Sequence, residues 1–168
     1  MMTAIALATT NEVYTPMPAE VSIIPATLSH VRELGETMRK ADRREIEIYG
    51  ISHHKGLWRT FKQGMRNKTA LIDGEVAAMW GVCGTYLGDT GVPWLLTSEA
   101  VHKVSPLRFA REYQREVYEM MQYFDRLENY VDADYEGAIR LLSIVGFTIG
   151  DPEKLGNGMY RKFTMVRG

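Results

Sequence analysis

Lys103, Ser105, Arg108 and Arg111 put three positive charges and a hydroxyl into one short stretch. They follow an apolar run, Pro93-Trp94-Leu95-Leu96-Thr97, and a connector, Ser98 to Val104. Ser105-Pro106 then reads as a helix start, because serine caps well and proline suits the first helical position. A strand feeding a helix start aims free backbone N–H groups and the helix dipole at one spot, which suits a phosphate. The same cations also fit a solvated helix face. Glu99, just past the apolar run, is the candidate base, with a surface carboxylate as the alternative. Glu45 and Glu47 lie in Arg43-Arg44-Glu45-Ile46-Glu47 and are candidates for a cationic substrate, although alternating charge also marks a solvated face. His53 and His54 are adjacent, so their side chains are expected to diverge, and no ligand stands at helical spacing to either. No metal site is expected. Cys83 stands alone, which excludes an internal disulfide, and reads as a small buried hydrophobe.

The elements that must position these residues follow from periodicity. Val21 to Pro25 reads as a first strand, with Pro25 ending it or placing it at an edge. Leu28 to Ala41 is an amphipathic helix, and the charged segment Asp42 to Ile51 is a linker or a broken helix. His54 to Lys68 is a second helix with Leu57, Trp58, Phe61 and Met65 inward. Thr69–Ile72 and Val76–Val82 flank Asp73-Gly74, a strong hairpin signal. After a loop from Tyr86 to Gly91 comes the Pro93–Thr97 strand. The long helix from Ser105 carries Leu107, Ala110, Tyr113, Val117, Met120, Phe124 and Leu127 on one face. Asn129–Ala133 is a fifth strand. A helix from Tyr135 to Val145 stops at Gly146. Phe147–Ile149 and Met159–Val166 form a last hairpin around a loop from Gly150 to Gly158. Trp58, Trp80 and Trp94 read as core. The sum is α+β: a mixed, mostly antiparallel sheet of about seven strands with about four helices. Residues 1–20 read as a flexible tail and 21–168 as one domain.

The chain has 168 residues, a net charge of -1 and 45% hydrophobic residues, as expected of a soluble globular domain. That charge exerts no general pull toward nucleic acid. On the long helix, Glu112, Glu116 and Glu119 interleave with Arg108, Arg111 and Arg115. No run reaches the length of a membrane span, and no basic leader precedes the first apolar residues. The lone cysteine fits a reducing, cytoplasmic compartment.

The element order and several local sequences resemble the GNAT family of N-acetyltransferases. Ser22-Ile23-Ile24-Pro25-Ala26-Thr27 is similar to the family's opening strand. Leu71 to Gly81 is similar to the hairpin between its second and third strands, and Gly137 to Phe147 to its closing helix and Gly-Phe. The resemblance implies acetyl-CoA as the cofactor. Its pantetheine would run along the backbone of Leu95, Leu96 and Thr97, where the fourth strand splays from the fifth. Its pyrophosphate would lie at the following helix start. An amine acceptor of unknown identity would attack the thioester. The sequence also departs from the family. His102 to Leu107 holds no glycine where the phosphate loop has several, and Pro106 lacks an N–H. Leu142 stands where the family has an acidic tyrosine; Tyr130 and Tyr135 do not match that position and read as packing. Trp94 to Glu99 and Phe163 to Gly168 further resemble GNAT-like proteins of tailed phages. That narrower resemblance implies a phage or prophage origin, a location in the host cytoplasm or the virion, and a non-catalytic binding or assembly role as the alternative to acetyl transfer.

Overall fold

The computed structural model describes residues 17–85 and 87–168. Residues 1–16, most of the expected tail, lie outside them, as does Tyr86 in the second loop. The strands are β1 (Val21–Pro25), β2 (Gly64–Ile72), β3 (Glu75–Cys83), β4 (Thr90–Thr97), β5 (Arg126–Asp132), β6 (Thr148–Leu155) and β7 (Gly158–Val166). The helices are α1 (Leu28–Thr37), α2 (Lys40–Glu47), α3 (His53–Gln63), α4 (Pro106–Met120) and α5 (Glu136–Val145), with a 3₁₀ turn at Glu99–Lys103. All seven strands form one mixed sheet in the order β1-β2-β3-β4-β5-β7-β6. Only β4 and β5 run parallel.

Local chemistry accounts for the joints. Asp73 and Gly74 both take positive φ (51° and 80°), the geometry of a two-residue hairpin turn that Asp-Gly favours. Gly146 at φ 114° ends α5, in a conformation that side chains avoid. Thr27 and His30 cap α1 reciprocally, each side chain accepting from the other's backbone N–H. β3 is buried along nearly its whole length, as befits a central strand covered on both faces. On one face, Ala110, Tyr113, Val117 and Met120 of α4 pack over Ala78, Trp80 and Val82. On the other, Val31, Leu34 and Leu57 of α1 and α3 pack over Val76, Met79, Trp94 and Leu96.

Several expectations change. The helix expected over Leu28–Ala41 breaks at Met38, because the chain there pairs with the end of β4. Met38 bridges Ser98, and Arg39 N–H donates to the Thr97 carbonyl at 2.9 Å. The charged segment beyond it forms α2, so five helices flank the sheet rather than four. The helix expected over His54–Lys68 stops at Gln63, and Met65 belongs to β2, opposite Val82. Trp58, expected in the core, is 49% exposed. α4 stops at Met120; Phe124 and Leu127 stay buried, one in the turn and one on β5. Their spacing ran on because turn and strand face the same core. Leu107, expected inward, is 52% exposed. The last hairpin has no long loop: β6 reaches Leu155 and β7 starts at Gly158. No helix among the described residues is long and apolar enough to cross a membrane.

Candidate functional site

β4 and β5 pair only at Thr90–Arg126 and Gly91–Leu127, and then part. Asn129 Nδ2 donates to the Pro93 carbonyl across the gap at 2.9 Å. The parting strands open a cavity of about 540 Å³ that passes through the sheet. α2 and α3 wall it on one face, and α4 and α5 on the other.

The backbone of β4 faces this cavity in a fixed alternation. Thr97 N–H donates to Asp42 Oδ2 (2.9 Å) and its carbonyl accepts from Arg39, so Thr97 turns away from β3. In an antiparallel ladder every second residue does the same. Pro93 and Leu95 therefore also point their backbone groups into the gap, and Leu96 and Trp94 bond to β3. Proline at 93 costs the ladder nothing, since its missing N–H would have faced the gap. The Pro93 carbonyl is taken by Asn129, and both groups of Thr97 are taken. Leu95 alone, among Pro93 to Thr97, presents a free N–H and a free carbonyl to the cavity.

The α2 side is acidic and aromatic. Asp42 and Glu45 stand three apart on α2, on one face. Asp42 is buried and accepts from Thr97 N–H, from Thr97 Oγ1 (2.6 Å) and from the Tyr135 hydroxyl (3.3 Å). Burial raises its carboxyl above the usual range, against those hydrogen bonds and the charge of Arg39. Glu45 Oε1 accepts from the Asp132 N–H at 3.2 Å, while Oε2 has no hydrogen-bond partner among the described residues. Burial pushes Glu45 up to about 7; the negative charges of Asp42 and Asp132 add to this, and the Asp132 N–H opposes it. Tyr49, Tyr135 and Tyr160 line the same cavity. The phenols of all three are raised, by burial first, and the charge of Glu45 contributes in each case.

The α4 side is apolar within and basic outside. Pro106, Phe109, Ala138, Leu141 and Leu142 line the cavity. Lys103 Nζ pairs with Glu75 at 2.9 Å. Ser105 Oγ caps α4 by accepting from Arg108 N–H at 3.2 Å, and Phe109 N–H bonds the Ser105 carbonyl. Pro106 has no N–H. Among the described residues, the N–H groups of Ser105 and Leu107 have no hydrogen-bond partner at this helix start.

No family model matches the sequence, and no curated protein does. Solved structures do match. The acetyltransferase of GNAT family from Streptococcus pneumoniae covers 89% of this chain and 100% of its own at TM-score 0.62 and 15% identity. AAC(6')-Ib in complex with ribostamycin and coenzyme A covers 88% and 93% at TM-score 0.65 and 12% identity. A microcin C7 self immunity acetyltransferase in complex with acetyl-CoA and AMP covers 88% and 93% at TM-score 0.60 and 11% identity. This chain has the GNAT fold.

The expected site residues fall unevenly on that fold. Leu95 presents free backbone to the cleft; Leu96 turns its backbone to β3, and Thr97 gives its own to Asp42 and Arg39. Glu45 lines the cavity, but Glu47, on another face of α2, pairs with His53 Nδ1 at 2.8 Å instead. Glu99 stands off the cavity wall and pairs with His102 at 3.3 Å, its side chain 73% exposed. Lys103, Ser105, Arg108 and Arg111 sit together at the α4 start, outside the cavity lining, and Arg108 reaches the Ala19 carbonyl at 3.5 Å. The His53 and His54 rings do not diverge: their centroids are 4.2 Å apart, and His53 Nε2 reaches the Gly35 carbonyl. Asp42, Tyr49, Tyr135 and Tyr160 also line the cavity, and the sequence did not single them out as candidates for it. The spacing Asp42, Glu45, Tyr49 was a signal, since it marks one helix face once the charged segment is read as helix.

The cleft suits one part of acetyl-CoA better than another. A pantetheine arm carries amides, and Leu95 offers the matching N–H and carbonyl between apolar walls. A diphosphate finds two free backbone N–H groups, no glycine, and cations of which Lys103 and Arg108 already have partners.

Proposed function

We propose that the chain is an N-acyltransferase that takes its acyl group from acetyl-CoA. The observation that carries this is the single free backbone pair of Leu95, set in a cleft that opens to both faces of the sheet. Leu95 N–H and carbonyl would hold the pantetheine amides. Phe109, Ala138, Leu141 and Leu142 would line the arm and keep water from the acyl carbon. The bound cofactor supplies an activated acyl group. Lys103, Ser105, Arg108 and Arg111 would meet the diphosphate only through loose charge attraction, so the arm carries most of the affinity. The amine enters from the α2 side, past Glu45. Glu99 has no part in this reading, because it faces solvent beyond the cavity. Support comes from the coenzyme A and acetyl-CoA complexes among the matching structures.

A second reading draws on a specific observation. Asp42 already holds Thr97 N–H, and the phosphate junction has lost its glycines, so the fold would serve here as a non-catalytic binding or assembly component, of phage origin. Calorimetric titration with acetyl-CoA separates the two. Micromolar binding is expected for the wild type. Leu95→Ala should stay within about threefold, since the backbone pair survives. Leu95→Pro should bind at least about tenfold more weakly, as expected when a buried hydrogen-bond donor to the ligand is deleted. The β3 ladder does not use that N–H, so the fold is retained. A wild type that ignores millimolar acetyl-CoA would overturn the enzyme reading and turn the search to protein partners.

A further inference from the structure

We propose that Glu45 is both the binding partner and the proton acceptor of the acyl acceptor, and that the acceptor is a singly charged primary amine with a flat or apolar body. This rests on the acyltransferase reading above and deepens it at the same cavity.

Among the described residues the cavity wall holds two acidic side chains, Asp42 and Glu45. Asp42 has both oxygens committed, to Thr97 and to Tyr135. Glu45 has one oxygen fixed by the Asp132 N–H, which orients the carboxyl, and one unengaged. A cation entering from the α2 side therefore meets one free carboxylate oxygen. The groups that face Glu45 are Asp42 and Tyr49 from its own segment, Asp132 from β5, Tyr135 ahead of α5 and Tyr160 from β7. Tyr135 and Tyr160 line the cavity beside this carboxylate, with the more exposed Tyr49, and phenol rings suit an alkylammonium because a ring face attracts a cation. Ile46 and Ile51 extend the wall with apolar surface suited to a hydrocarbon body. A polyamine or a polycationic sugar would need several carboxylates, and this wall gives it one, beside Arg39 and Arg59.

The proton balance is complete without another reagent. One ammonium proton passes to Glu45 Oε2 and on to water. The freed nitrogen bonds to the acyl carbon as the carbon–sulfur bond breaks. The second proton leaves the nitrogen with the thiolate, giving amide and thiol. A carboxyl that titrates near neutrality is matched to this task, since it is both free to accept and able to release.

The test is calorimetric titration of the coenzyme A-mixed protein with 2-phenylethylamine, 2-phenylethanol and spermidine, in buffers of different ionisation enthalpy. The wild type should bind 2-phenylethylamine at least tenfold more tightly than 2-phenylethanol, and no more weakly than spermidine. At pH 6.5 it should release a proton on binding, as the ammonium displaces the one on Glu45. Glu45→Gln keeps an acceptor for the Asp132 N–H; it should lose at least tenfold in 2-phenylethylamine affinity and release no proton. Glu45→Asp should recover part of the loss, and a thermal melt of each variant checks folding. Equal affinity in wild type and Glu45→Gln, or spermidine bound tenfold tighter than 2-phenylethylamine, would overturn the proposal. The outcomes also separate the two readings. Glu45-dependent amine binding with no acetyl-CoA binding keeps the amine site and removes acyl transfer. Acetyl-CoA binding with Glu45-independent amine binding does the reverse.

Discussion

The two mouths of the cleft hold opposite kinds of charge. At the α4 mouth the cations lie outside the cavity lining: Lys103 is paired with Glu75, Arg108 reaches the Ala19 carbonyl, and Arg111 stands in solvent. At the α2 mouth the described residues supply two carboxylates, but they are withdrawn from water, and one keeps an open oxygen. The contrast teaches that the number of charges in a stretch of sequence is a poor guide to where charge is available. Burial and prior partners decide that.

The largest test of this contrast is a pair of truncations read by urea denaturation. Asp42→Ala leaves Thr97 N–H, Thr97 Oγ1 and the Tyr135 hydroxyl without their acceptor, and should cost about 2–4 kcal/mol of stability. Lys103→Ala breaks only an exposed pair and should cost about 0.5 kcal/mol or less. Equal losses would erase the distinction between the mouths.

A smaller effect comes from protons. An ordinary glutamate, as in the unfolded chain, titrates near 4.5, and folded Glu45 near 7. Between these values the folded state holds the extra proton, so stability should fall as pH rises through the window, by at most about 1.4 kcal/mol per pH unit. Glu45→Gln should flatten that slope in thermal melts from pH 4.5 to 7.5. A slope unchanged by the substitution would assign it elsewhere, Asp42 being the next carboxyl to consider.

The smallest effect belongs to the basic mouth. Arg111→Glu should weaken acetyl-CoA binding by about two- to fivefold at low salt, and the difference should fade in about 0.5 M salt, as screening predicts for exposed charge. Lys103→Glu should change it less, about twofold, because Glu75 already holds the ammonium. A hundredfold loss at Arg111, persisting in salt, would make the junction a true phosphate cradle.

Most of the architecture was legible in the sequence because periodicity and turn chemistry agree there. Asp73-Gly74 and Gly146 announce their conformations, and Ala110, Tyr113, Val117 and Met120 lie where their spacing puts them. What failed was boundaries. Helix spacing cannot see a helix stop when the next segment faces the same core, as with Phe124 and Leu127. Nor can it see that Met38 leaves the helix to pair with Ser98, some sixty positions on. The site was half legible. Leu95 and Glu45, which line the cavity, stand out in the sequence, one through the family likeness and one through its charge. Asp42 was missed because its meaning lies in partners, Thr97 and Tyr135, that only the folded chain brings together. Glu99 stood out as an acid near the right strand, and its exposed side chain matches the surface-carboxylate alternative.

Pro93 and Asn129 have one further consequence. A strand with an open side invites other extended chains to add to it, and such edges drive unwanted association. On β4 the open side is reduced to one residue: Pro93 has no donor, its carbonyl is held by Asn129, and Thr97 is closed by Asp42 and Arg39. A stray peptide would find one pair of groups and no continuing ladder. The splayed sheet thus keeps an entrance for a short amide-bearing arm while remaining a poor template for aggregation.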